Sequence, residues 1–181
     1  STSSAASDVY KRQLIYYLYD NGEFSEYFDE KGKGMTKSLM KTPINGARLS
    51  SSYGMRKHPI SGYNKMHKGV DFAAPTGTPI FAAGNGIVEY VGRNGGYGKY
   101  IRIRHDSTYK TAYAHLNGYK KGISSGVRVK QGDVIGYVGS TGKSTGPHLH
   151  YEIIVNGKQI NPATLKSVSY THLRAHETQL H

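Results

Sequence analysis

From Pro79 onward, apolar and polar residues alternate in short runs divided by glycine: "PIFAA", "GIVEYVG", "KYIRIRH", "KTAYAHL", "VIGYVG" and "HLHYEIIV". A period of two over such runs is the pattern of a half-buried strand, with successive side chains on opposite faces. A helical period is nearly absent; only Met35 to Met40 offers a turn of helix. The last run ends at Asn156-Gly157, a pair suited to positive φ at both positions, and predicts a type I′ hairpin into "KQI". Upstream, "LIYYLYDNGEFSEYF" reads as two aromatic strands around an Asp20-Asn21-Gly22-Glu23 turn, and the polar stretch 29–47 leads into a main domain near Arg48. Two segments echo one another, "GTPIFAAGNGIVEYVG" and "GVRVKQGDVIGYVGSTG". Each has an entry strand, a glycine-containing turn and an exit strand, which suggests a partly duplicated hairpin unit. The expected fold class is all-β, with mostly antiparallel sheets.

Both ends change the bookkeeping. Back-translation of 3–13 and of 168–178 fits, in frame, the two adapters of transposase-based sequencing, so 1–13 and 167–181 are expected to be non-native tails. The expected organisation is then a partial N-terminal β segment and linker over 14–47 and one domain over 48–166. Setting the tails aside removes His172, His176 and His181, so a His-rich C-terminus is not a second metal site. The formal net charge of the whole chain is +12, and the tails hardly alter that excess. A basic surface favours an anionic partner. No RNA-binding signature or basic helix with base-reading spacing accompanies it, so a nucleic-acid partner is not expected. The chain has no cysteine, which excludes thiolate catalysis and zinc–cysteine sites. No apolar run is long enough to span a membrane, and no signal peptide is visible.

The candidate chemistry lies in His67 and Asp71 of "HKGVD", His115 of "YAHL", and His148 and His150 of "HLH". A catalytic zinc takes three ligands of the His and carboxylate kind and keeps a further position open. Two additional histidines could handle the protons of a reacting water. On a strand, His148 and His150 share one face and Leu149 takes the other. An extended "HKGVD" would likewise put His67 and Asp71 on one face, with Gly69 allowing close approach or a bend. His115 is expected at a strand end beside the same groove. His58 and His105 read as ordinary hydrogen-bonded histidines, with Arg56 and His58 placed to brace a groove entrance. The run Gly139 to Gly146 contains "GK[S]" but lacks the phosphate-loop spacing and precedes a strand. It is expected to form a turn at the groove wall, with its hydroxyls available to ligands.

Residues 48 to 161 resemble the lysostaphin-type (M23, LytM-like) zinc metallopeptidase domain, through "HKGVD", "YAHL" and "GSTGKSTGPHLHYE". The resemblance implies a narrow groove floored by one zinc ion, with His67, Asp71 and His150 as ligands and His115 and His148 as catalytic histidines. It implies hydrolysis of peptide cross-links in bacterial peptidoglycan, by a monomer in the cell envelope, periplasmic or secreted. "GMRKHP" and "MHKGVDFAAPTGTPI" are similar to the version common in diderm bacteria, which implies D,D-endopeptidase action on direct cross-links. The sequence leaves open which of His115 and His148 accepts the proton and which supports the oxyanion or leaving amine. Tyr63, near His67, is a candidate for the groove lining, and 14–41 for part of a β domain that regulates access.

Other classes leave different marks. A non-catalytic, peptidoglycan-binding or amidase-activating LytM-like module commonly lacks some ligands, whereas all five positions are filled here. A lipoyl- or biotinyl-like carrier needs a modified lysine at a hairpin tip, for which Lys130 and Lys143 are poor candidates. A phosphotransfer domain has no evident use for Asp71.

Overall fold

The computed structural model describes residues 39–57 and 64–165, with 56–57 by backbone alone, and the backbone of two strands at 17–20 and 25–28. Both terminal stretches, His58, Tyr63 and the Arg56 side chain lie outside the described residues. Most of the expected turn at Met35 to Met40 does too; Leu39 and Met40 are not helical. The chain divides into two compact units, 37–168 and a smaller one that groups 1–36 with 169–181. In the smaller unit β1 (Tyr17–Asp20) and β2 (Ser25–Phe28) pair antiparallel, Asp20 opposite Ser25, as the aromatic alternation predicts.

Among the described residues, the larger unit carries twelve strands and no helix beyond 3-10 turns at Gly95–Tyr97 and Pro162–Thr164. In chain order the strands are β3 (Arg48–Ser51), β4 (Gly54–Lys57), β5 (Asn64–His67), β6 (Val70–Ala73), β7 (Pro79–Phe81) and β8 (Gly86–Arg93). There follow β9 (Lys99–Arg104), β10 (Tyr109–Tyr119), β11 (Arg128–Val129), β12 (Val134–Val138), β13 (His148–Val155) and β14 (Lys158–Ile160). Ten of them form one sheet in the order β11-β8-β9-β10-β13-β6-β3, with β12 joining β10 and β7, and β14 joining β13; β4 and β5 form a separate ladder. Every pairing is antiparallel. The turn between β13 and β14 has φ of 48° at Asn156 and 77° at Gly157, the I′ signature expected of that pair.

The echoed segments do not fold as two hairpins. The entry strand of each pairs with the exit strand of the other: β7 with β12, and β11 with β8. The reason lies in Ala82 and Ala83, which are fully buried instead of turning over the surface. Ala82 exchanges backbone hydrogen bonds with Asp133 and Gly132, the matching turn of the other segment. Ala83 donates its N–H to the Tyr113 hydroxyl at 2.8 Å. Each turn is therefore clasped by its echo, and neither segment could form its ladder alone.

β13 shows how period two builds two environments at once. Leu149, Tyr151 and Ile153 face the main core with Ile80, Ile101 and Leu116. His148, His150, Glu152 and Ile154 alternate with them, and Ile154 packs in a smaller cluster with Tyr100, Ala112 and Ala114. The functional side chains thus stand on a strand whose other face is anchored in the core. Each fully buried apolar side chain there contributes about 1.5–3 kcal/mol.

Candidate metal centre and groove

His67 closes β5, whereas Asp71 lies in β6, so the two belong to different ladders and "HKGVD" is not one extended strand. Lys68 and Gly69 make the bend. A Cβ at Gly69 would stand 2.4 Å from the Tyr151 carbonyl oxygen and 2.9 Å from the His150 ring, so only glycine lets the bend pass this close. Asp71 is the register partner of His150 across β6 and β13. Topology, not sequence proximity, brings the carboxylate beside the second imidazole.

Three atoms face one another at the groove floor. His67 Nε2 lies 3.1 Å from Asp71 Oδ1 and 3.1 Å from His150 Nδ1, and His150 Nδ1 lies 2.9 Å from Asp71 Oδ1. The opposite nitrogens settle their protonation. His67 Nδ1 donates to the Ser52 carbonyl at 2.8 Å, and His150 Nε2 donates to Glu152 Oε1 at 3.0 Å. In neutral rings the inner nitrogens then carry lone pairs, and with Asp71 they make three convergent acceptors. Such a set repels itself unless a cation or a proton sits among them. One carboxylate and two imidazoles are a zinc-type donor set, so the residues fit that group.

The electrostatics follow from the same contacts. Burial opposes ionisation of Asp71, but its close contacts with the His150 and His67 rings outweigh it and hold the carboxyl far below its usual range. Burial also disfavours charge on His150, yet Asp71 and Glu152 overcome it and push the ring up to about 9. Without a metal, a proton on His150 takes the cation's place.

Glu152 was not picked out by the sequence reading. It is 2% exposed, accepts from His150 Nε2 and from the Tyr97 hydroxyl at 2.8 Å, and takes Gln159 Nε2 on its other oxygen at 3.2 Å. A carboxylate behind a metal-binding histidine fixes its tautomer and raises its basicity. The available signal was the spacing: Glu152 follows His148 and His150 at intervals of two.

His115 and His148 stand beside this cluster, ring centroids 4.7 Å apart. His148 Nδ1 donates to the Gly146 carbonyl at 2.8 Å, and its Nε2 lies 3.8 Å from Asp71 Oδ1. His115 Nδ1 donates to the Thr141 carbonyl at 2.8 Å. Burial pushes the His115 ring down to about 4, so it is neutral at ordinary pH. His115 is not at a strand end as expected; it sits inside β10 with φ of 60°, where the ladder with β9 slips register between Tyr113 and Leu116 and the pairing with β13 ends at Ala114. Tyr113 and Leu116 both belong to the main core and Ala114 to the opposite cluster. Plain alternation would have pointed His115 into the core; the bulge turns it to the groove.

All five residues named from the sequence line one cavity of about 660 Å³, with Lys65, Lys68 and Lys143 among its walls. Of the run from Gly139 to Gly146, Lys143 to Gly146 line the wall, Ser144 and Thr145 among them, whereas the Thr141 hydroxyl is spent on Leu116 and Lys99 backbone groups. His105 lies away from the groove. Its Nδ1 donates to the Asn85 carbonyl, and its Nε2 joins the buried Thr111 and Tyr113 hydroxyls, a structural tie.

The profile of Peptidase family M23 matches residues 65–162. The chain is 47% identical over 141 residues to the peptidoglycan DD-endopeptidase ShyC of Vibrio cholerae, a match covering 77% of this chain and 32% of that protein. Among solved structures, a zinc containing peptidase from Vibrio cholerae superposes with a TM-score of 0.69 at 32% identity, covering 84% of this chain and 47% of the other. The catalytic domain of lysostaphin from Staphylococcus simulans gives 0.59 at 35% identity, covering 66% and 91%. The chain spans about a third of the length of the curated relatives it matches.

Proposed function

The chain belongs to Peptidase family M23, and from that premise we propose that it is a zinc-dependent endopeptidase that cleaves peptide cross-links of bacterial peptidoglycan. We assign the activity to the domain at 48–166 and the place of action to the cell envelope. The observation that carries the reading is the convergence of three acceptor atoms at a groove floor, with two further imidazoles alongside. His67, Asp71 and His150 would hold the metal. Bound there, zinc would supply Lewis acidity that polarises a scissile carbonyl and acidifies water.

The chain's own groups supply the proton chemistry. His115, neutral and protonated on Nδ1, offers Nε2 to take a proton from the attacking water. The water oxygen bonds to the carbonyl carbon, the C–N bond breaks, and the leaving amine takes up a proton. His148, nearer Asp71, is placed to hydrogen-bond the developing oxyanion or to protonate that amine. Glu152 and the Ser52 carbonyl take the outer N–H groups of the two rings and aim the inner nitrogens inward, where a metal would displace the proton. Direct D,D cross-links are the proposed substrate, a choice supported by the motif resemblance and by the DD-endopeptidase named among the relatives.

The test is digestion of peptidoglycans with direct and with glycine cross-links by zinc-loaded protein, chelated protein and His150→Ala. Mass spectrometry identifies the new termini. Chelator-sensitive cleavage of the direct link is expected. Binding without cleavage by the zinc-loaded protein would instead assign a wall-binding role.

A further inference from the structure

We infer that Thr141 is the positioning residue of His115, holding its ring in one orientation and one tautomer. The inference rests on the reading of His115 as a proton acceptor. A non-glycine residue with φ of 60° persists only where its surroundings over-determine it. Around His115 those surroundings converge on one residue from another loop. Leu116 and Lys99 are register partners across β10 and β9, yet the Thr141 hydroxyl is inserted between their polar groups. Lys99 N–H donates to Thr141 Oγ1 at 2.9 Å, and Oγ1 donates to the Leu116 carbonyl at 2.8 Å. The hydroxyl thus bridges, through two hydrogen bonds, the gap between the Lys99 N–H and the Leu116 carbonyl at the bulge. The carbonyl of the same residue accepts from His115 Nδ1 at 2.8 Å, so it leaves Nε2 as the acceptor.

Two glycines fix where Thr141 can be. A Cβ at Gly98 would fall 2.4 to 2.5 Å from the Thr141 carbonyl carbon, carbonyl oxygen and hydroxyl. One at Gly142 would fall 2.4 Å from Gly96 O and Gly98 N. Lys143 N–H donates to Gly96 O at 2.8 Å and closes the clasp between the two loops. The Thr141 carbonyl is therefore packed against the Gly98 backbone while its oxygen accepts from the His115 ring. Without the hydroxyl, the bulge loses its tie to β9 and the ring loses a fixed partner. The neutral imidazole could then carry its proton on Nε2, the wrong atom for a base.

The experiment compares Thr141→Val, which keeps the shape and removes both hydroxyl bonds, with Thr141→Ser, which keeps them. Nitrogen NMR of the His115 ring, assigned with His115→Ala, is expected to show Nδ1–H in the parent and in Thr141→Ser. A mixture of tautomers is expected in Thr141→Val. On a cross-linked peptide, kcat should fall about 10- to 100-fold in Thr141→Val at unchanged KM and recover in Thr141→Ser. Zinc affinity by chelator competition should be the same in all three. Should Thr141→Val fail to fold, Thr141→Ala carries the same comparison. A parent chain with His115 protonated on Nε2, or a Thr141→Val chain with unchanged tautomer and kcat, overturns the inference. The ring measurement needs no turnover, so it separates failure of this inference from failure of the peptidase reading.

Discussion

Replacing Gly69 by alanine should damage both the fold and the candidate metal centre. The added Cβ would lie 2.4 Å from the Tyr151 carbonyl oxygen, so a normal contact requires a separation about 1 Å larger. That oxygen belongs to β13, whose pairing with β6 sets Val70 opposite Tyr151 and Asp71 opposite His150. It cannot withdraw without disturbing the ladder that brings those two candidate ligands together. The same Cβ would lie 2.9 Å from His150 Cε1 and Nε2, pressing the ring off its bond to Glu152. Overpacking of this kind costs about 1–3 kcal/mol. At about 3–6 °C per kcal/mol for a unit of this size, melting should fall by about 3–18 °C. Displacing a ligand by about half an ångström should also weaken zinc binding, by about 10- to 100-fold. Scanning calorimetry of the metal-free chain and chelator competition measure the two effects separately. Gly146→Ala is the control, because nothing lies within 4 Å of a Cβ there. If Gly69→Ala melts within about 1 °C of the parent and binds zinc as tightly, the packing argument is wrong.

Other perturbations test other parts of the site. In the metal-free chain the raised His150 pKa contributes stability that is present below the unfolded value of 6.5 and lost as pH rises through about 9. Denaturant unfolding should therefore show a loss of up to about 3 kcal/mol between pH 7 and 10, and a flat profile there would contradict it. Glu152→Gln should lower zinc affinity about 10- to 100-fold while the chain stays folded; equal affinity in a chelator titration would show that the carboxylate does not matter. Tyr113→Phe leaves the buried Ala83 N–H without its acceptor and should cost about 1–3 kcal/mol in a urea melt, a loss absent if that amide finds another partner.

Alternation along the chain was enough to locate the strands from Pro79 to Val155, because side-chain period is a local property. The Asn156-Gly157 turn was legible for the same reason: few pairs adopt positive φ at two successive residues. The four histidines and the aspartate at the groove floor were visible as residue types at telling spacings. Pairing partners were not. The two echoed segments read as hairpins, and only the strand pairing, with Ala82 and Ala83 buried and Ala82 bonded to the turn of the other segment, shows that they exchange strands. His115 was expected beside the groove, where it lies, but at a strand end; plain alternation would have turned it into the core, since a bulge has no signature in side-chain polarity. The groups that orient the histidines were hidden more deeply still. Three are backbone carbonyls, of Ser52, Thr141 and Gly146, and a carbonyl is common to every residue. What makes each of them an acceptor is its position, and tertiary packing alone decides that.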